Sequence, residues 1–94
     1  MPGSGPRSMV QEMSLMRLYS RRGCHLCQQA EELLYFHAPA AVAVDVDSEA
    51  ALVGRYGERV PVLEIDGRVV LEGRFDEAEL IRALARAAGD APAA

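Results

Sequence analysis

Residues 15–37 read LMRLYSRRGCHLCQQAEELLYFH, and the change of period inside this stretch decides how the chain folds. Leu15–Ser20 is a short apolar run closed by turn residues, the pattern of a buried strand. Arg21, Arg22 and Gly23 then make a turn. Beyond Cys24 the apolar residues adopt helical spacing, with Leu26, Ala30, Leu33, Leu34 and His37 on one face. Gln28, Gln29, Glu31 and Glu32 occupy the other face, and Pro39 stops the helix. The stretch therefore predicts a strand passing through a tight turn into a helix, with a Cys-x-x-Cys at the junction.

That junction suits thiol chemistry. A helix N-terminus carries partial positive charge and unpaired N–H groups, which stabilise a thiolate and lower the pKa of the first cysteine. The second cysteine lies one turn further in, within reach of a mixed disulfide formed on the first. Cys24 is the expected nucleophile and Cys27 the resolving thiol. Arg21 and Arg22 add positive charge nearby, and His25 adds a further titratable group. Other readings of the pair compete with this one. A structural zinc site needs four ligands, and Cys24, Cys27, His25 and His37 make a marginal set, since His25 sits between the cysteines. Covalent c-type haem needs His directly after the second cysteine, where Gln28 stands. Two incidental buried cysteines are the blandest alternative, and His37 reads as a helix-end residue.

Outward from this unit, Ala41–Asp47 (AVAVDVD) alternates with period two and predicts a second strand with Val42, Val44 and Val46 on one face. Ser48 is placed to cap a short helix over Glu49–Tyr56, ended by Gly57. Val60–Ile65 and Arg68–Leu71 flank Asp66-Gly67, a strong two-residue hairpin signal. Asp76 followed by Glu79 forms a capping box, and Leu80, Ile81, Leu84 and Ala88 make the apolar face of a last helix ending at Gly89. The order is βαβαββα. Val60-Pro61 opens the hairpin, where a proline removes a ladder donor and is a candidate for the cis form; an ordinary edge-strand proline is the plainer reading.

Composition sets the bounds. The 94 residues suffice for one domain with a modest core, and 50% are hydrophobic while 26% are charged, a globular balance. No apolar run reaches the 18 or more residues of a membrane-spanning helix. Two cysteines three apart cannot staple a fold, which excludes a disulfide scaffold. Net charge is −4, and although Arg7, Arg17, Arg21 and Arg22 cluster early, no basic stripe interleaves with aromatics, so nucleic acid is not the expected partner. Residues 1–14 lack the apolar core of a signal peptide and read as a flexible extension, and residues 90–94 read as a frayed tail. The thiols are accordingly expected in a reducing cytoplasm, where paired cysteines mean catalysis, redox sensing or metal.

LYSRRGCHLCQQA (residues 18–30), RVPVLEIDG (59–67) and EGRFDEAEL (72–80) together resemble the glutaredoxin-like branch of the thioredoxin superfamily in order, spacing and character. The resemblance covers residues 15–89 and looks most like small bacterial glutaredoxin-like proteins. It implies an α/β thioredoxin-like fold of glutaredoxin type, with a four-stranded mixed sheet, three helices and a cis Pro61 facing the cysteines. It also implies glutathione as co-substrate rather than a tightly bound cofactor. Arg21 would meet a glutathione carboxylate, and Val60 would pair through its backbone with the cysteinyl part. Gly73 and Asp76 match the second glycine and the acid that hold the γ-glutamyl end. Two departures stand out. Cys-His-Leu-Cys replaces the family's usual Cys-Pro-Tyr-Cys, and Glu72 replaces the first glycine, putting a negative charge where an acidic tripeptide would dock.

The resulting expectation is a monomeric thiol–disulfide oxidoreductase acting on disulfide-containing proteins or glutathionylated thiols. Glutathione is the expected reductant, with a thioredoxin-reductase-type partner as the other route. A non-catalytic module of the same fold, such as an iron–sulfur carrier or a redox sensor, is the alternative.

Overall fold

The structure, a computed structural model, describes residues 15–90. The expected extension 1–14 and the end of the expected tail, 91–94, lie outside the described residues. Strand β1 (Met16–Ser20) leads into helix α1 (His25–His37), which returns to strand β2 (Val42–Asp45). A 3-10 turn (Val46–Ser48) and helix α2 (Ala50–Tyr56) follow, then the hairpin β3 (Val62–Ile65) and β4 (Arg68–Glu72), and finally helix α3 (Glu77–Asp90). The sheet order is β2-β1-β3-β4, with β1 parallel to β2 and antiparallel to β3, and β3 antiparallel to β4. This is the mixed sheet that the resemblance implies.

Strand alternation sorts the core onto two faces of this sheet. Leu18, Leu63 and Ile65 pack with Ala30 and Leu34 of α1, Phe75, and Leu80 of α3. On the opposite face Tyr19 and Val62 pack with Val46 and Tyr56. The hairpin turns on Asp66 (φ 52°) and Gly67 (φ 82°), two consecutive left-handed residues as a two-residue turn of primed type demands. Asp66 also ties the turn to β1: its N–H donates to the Leu15 carbonyl at 2.8 Å, and its Oδ1 accepts from the Leu15 N–H at 2.7 Å. A register shift between Leu63 and Glu64 makes Val70 the extra residue of a bulge in β4.

Expectations for three elements are corrected. The second strand ends at Asp45, because the Asp45 carboxylate accepts the Asp47 N–H at 2.9 Å and turns the chain into the 3-10 segment. Val42 and Val44 share a face of the strand, with Val42 exposed, while Val46 lies past the strand in the 3-10 segment and is fully buried. Ser48 belongs to that turn, and α2 starts after Glu49, which makes no side-chain cap. In α3 the inward residues are Leu80 and Ala83 with the half-buried Leu84 and Ala87, whereas Ile81 and Ala88 face outward. The helix also runs one residue past Gly89, to Asp90.

Candidate active site

The cysteine pair sits where β1 hands over to α1. Cys24 is the N-cap of the helix with an extended backbone (φ −96°, ψ 112°), and its Sγ accepts the Cys27 N–H at 3.1 Å. A sulfur that accepts a helix N-terminal N–H gains in that contact more as a thiolate than as a thiol. The turn is closed by the Cys24 N–H, which donates to the Arg21 carbonyl at 3.2 Å. Cys24 and Cys27 form a disulfide, with Cα atoms 5.1 Å apart. The two sulfurs differ in access: Cys27 is 1% exposed and Cys24 half-buried. His25 is exposed, its Nε2 lying 3.4 Å from the Gln29 side-chain nitrogen one turn along.

The Val60-Pro61 bond is cis. Tyr19 pairs with Val62, so the antiparallel register sets Pro61 opposite Ser20, at the end of β1 from which the cysteine turn emerges. Pro61 is buried, and its carbonyl accepts the Gly73 N–H at 2.8 Å. Gly73 also donates, at 3.2 Å, to the Arg59 carbonyl, clasping the loop before β3 to the end of β4. Among the described residues the Val60 backbone makes no hydrogen bond, leaving its N–H and C=O open.

Arg21 binds within the chain. Its Nε and Nη2 donate to the two carboxylate oxygens of Asp47 at 3.1 and 3.0 Å, and Nη1 donates to the Gly57 carbonyl at 3.0 Å. The hydrogen bonds and charge of Asp47 push the guanidinium pKa above its ordinary value. Gly57 allows this approach because it has no side chain. A Cβ there would meet the Val53 carbonyl oxygen at 2.5 Å and Arg21 Nη2 at 3.3 Å. Glu72, the departure from the family's glycine, is likewise paired: Arg59 donates to its Oε1 through Nε at 2.8 Å and also through Nη2. Asp76 caps α3 as the sequence predicts, with Oδ1 accepting from the Glu79 N–H at 2.8 Å and Glu79 Oε1 from the Asp76 N–H at 2.9 Å.

Thus Arg21, Cys24, Cys27, Val60, Pro61 and Gly73 gather at one end of the sheet, Asp76 starts the helix just beyond Gly73, and His25 lies on the exposed side of α1. Sequence reasoning did not find Asp47, the carboxylate that claims Arg21. It also missed Glu64, buried at 7% exposure and shared by the Tyr19 and Tyr56 hydroxyls at 3.2 and 2.7 Å. A charged residue inside the buried run VPVLEI signalled an unseen partner, but not which one. Among the described residues, no three His, Cys, Asp or Glu side chains gather into a group able to hold a metal ion.

The chain has relatives of known sequence and structure. A "Glutaredoxin-like protein YDR286C homolog" of Dictyostelium discoideum is 28% identical over 78 residues, 69% of either chain. The X-ray structure of a structural-genomics target protein from X. campestris is 44% identical, covering 76% of this chain and 96% of its own, with a TM-score of 0.69. The crystal structure of a glutaredoxin from Archaeoglobus fulgidus, 18% identical, covers 87% of this chain and 98% of its own with a TM-score of 0.57, a likeness of fold. The family described as "Glutaredoxin-like domain (DUF836)" matches residues 15–85, and the chain, with its Cys-x-x-Cys at the strand-to-helix junction and its cis-proline opposite, belongs to that family.

Proposed function

We propose that the protein is a dithiol–disulfide oxidoreductase working through Cys24 and Cys27. The observation that carries this reading is the unequal access of the two sulfurs: a half-buried Cys24 capping a helix, bonded to a fully buried Cys27. In the reducing direction the Cys24 thiolate attacks one sulfur of a substrate disulfide. That S–S bond breaks, a Cys24–substrate disulfide forms, and the other substrate sulfur leaves as a thiolate that takes up a proton. Cys27 gives up its proton and attacks Cys24 Sγ, which releases the second substrate thiol and closes the Cys24–Cys27 bond. Two electrons pass from the chain to the substrate. Glutathione or a dithiol reductant then returns the pair to thiols, which suits a monomer in a reducing compartment. No described helix is long and apolar enough to cross a membrane.

Trapping tests the division of labour. A Cys27→Ser variant incubated with a disulfide substrate should accumulate a covalent adduct on Cys24, visible by intact mass and cleared by reductant. The Cys24→Ser variant should form little, since Cys27 is buried. Equal adducts on both variants would contradict the assignment.

A further inference from the structure

The cysteine end of the sheet is already supplied with internal partners for the groups that a free tripeptide would need. The Arg21 fork holds both oxygens of Asp47 and the Gly57 carbonyl. Asp47 is tied in turn to the 3-10 turn by its N–H, which donates to the Asp45 carboxylate, and Gly57, with no side chain, leaves room for Arg21 Nη2. The Gly73 N–H is shared between the Pro61 and Arg59 carbonyls, and Glu72 holds the Arg59 guanidinium. Among the described residues the Val60 backbone, in contrast, makes no hydrogen bond.

We infer that the site selects disulfides carried on extended polypeptide segments and discriminates against glutathione as a free tripeptide. This deepens the dithiol–disulfide reading above and rests on it. A tripeptide offers little apolar area and depends on charge-assisted contacts at its carboxylates. To reach Arg21 it must displace Asp47 or set a second carboxylate beside it, and like charges at close range repel. An extended polypeptide needs neither contact. It pairs with the Val60 backbone in the manner of an added strand, as the cysteinyl part of the tripeptide also can, and its neighbouring residues contribute the area that the tripeptide lacks. Asp47 and Glu72 are therefore specificity-determining residues, acting by keeping Arg21 and Arg59 engaged.

The test is a single-turnover comparison on the full chain, reduced with dithiothreitol and then freed of it. Thiol loss is followed after mixing with glutathione disulfide or with a linear peptide dimer joined by one disulfide and blocked at its termini. The expected result is faster oxidation by the peptide by about tenfold, the factor carried by one hydrogen bond to a charged group. Equal rates, or faster reaction with glutathione disulfide, overturn the inference while leaving the redox reading standing. If neither oxidant consumes the thiols, the redox reading falls as well. The double variant Asp47→Asn with Glu72→Gly should narrow the peptide preference about tenfold, by the same measure. A folded double variant that keeps the original preference overturns the role given to Asp47 and Glu72, and if that variant does not fold the wild-type comparison still decides.

Discussion

Glu64 illustrates what one charged residue in a buried strand requires. Both carboxylate oxygens are satisfied by tyrosine hydroxyls, whose rings stack at 4.6 Å between centroids, and Arg17 Nη1 lies 3.9 Å from Oε1. Removing one donor leaves a buried carboxylate oxygen unpaired. Tyr56→Phe should therefore cost about 1–3 kcal/mol in urea denaturation, although it removes only one oxygen. The same cluster sets an alkaline limit. Burial first raises the pKa of both Tyr19 and Tyr56; the charge of Glu64 comes next for Tyr19, and the hydrogen bond to Glu64 comes next for Tyr56. The unfolded chain titrates its tyrosines near pH ~10, so the folded state holds those protons over a window above that value. The stability from these groups should be full below about pH 10 and fall as pH rises through the folded pKa, read as a declining urea midpoint. In Tyr56→Phe the decline should be shallower.

Elements with local signals were legible in the sequence. The capping box at Asp76, the Asp66-Gly67 turn and the start of α1 at Cys24 each depend on residues within four positions of one another, and each forms as read. Asp76→Ala should remove the reciprocal pair at the start of α3 and cost about 0.5–2 kcal/mol in the same denaturation assay. A loss outside that range on the small side would mean that packing of Leu80 and Phe75 alone holds the helix. The misread elements have competing local bonds. The residue type of Ser48 suits a cap, but the Asp45 carboxylate accepts the Asp47 N–H and draws Val46, Asp47 and Ser48 into a 3-10 turn. Helical spacing alone places Ile81 inward; the orientation of α3 against the sheet, set by tertiary packing, turns Ala83 inward instead. Pairs distant in sequence were not legible at all. Nothing in Arg21 names Asp47, 26 residues on, and nothing in Glu64 names Tyr19, 45 residues before.

At the scale of the whole molecule, the sheet order explains how so short a chain brings the cysteine pair and the cis-proline loop together. Placing β1 between β2 and β3 puts the cysteine turn at the end of a central strand, with the cis-proline loop on the adjoining strand and the Asp47 turn after the parallel neighbour. Arg21 spans these pieces: its carbonyl holds the Cys24 N–H, and its guanidinium holds Asp47 and Gly57. His37 of α1 meets Glu77 of α3 at 2.6 Å, joining the two helices that cover the same face. The site is thus carried by rigid elements, with one sulfur accessible and one enclosed. We propose that this pair exchanges two electrons with an external disulfide, and counting thiols tests that exchange most directly. Reduced full-length protein mixed with an excess of a disulfide-linked peptide should lose both of its thiols per chain, gain the Cys24–Cys27 bond and release two peptide thiols, with no such turnover in Cys24→Ser. Thiols that persist on the wild-type chain, or equal loss in the Cys24→Ser variant, would contradict the account.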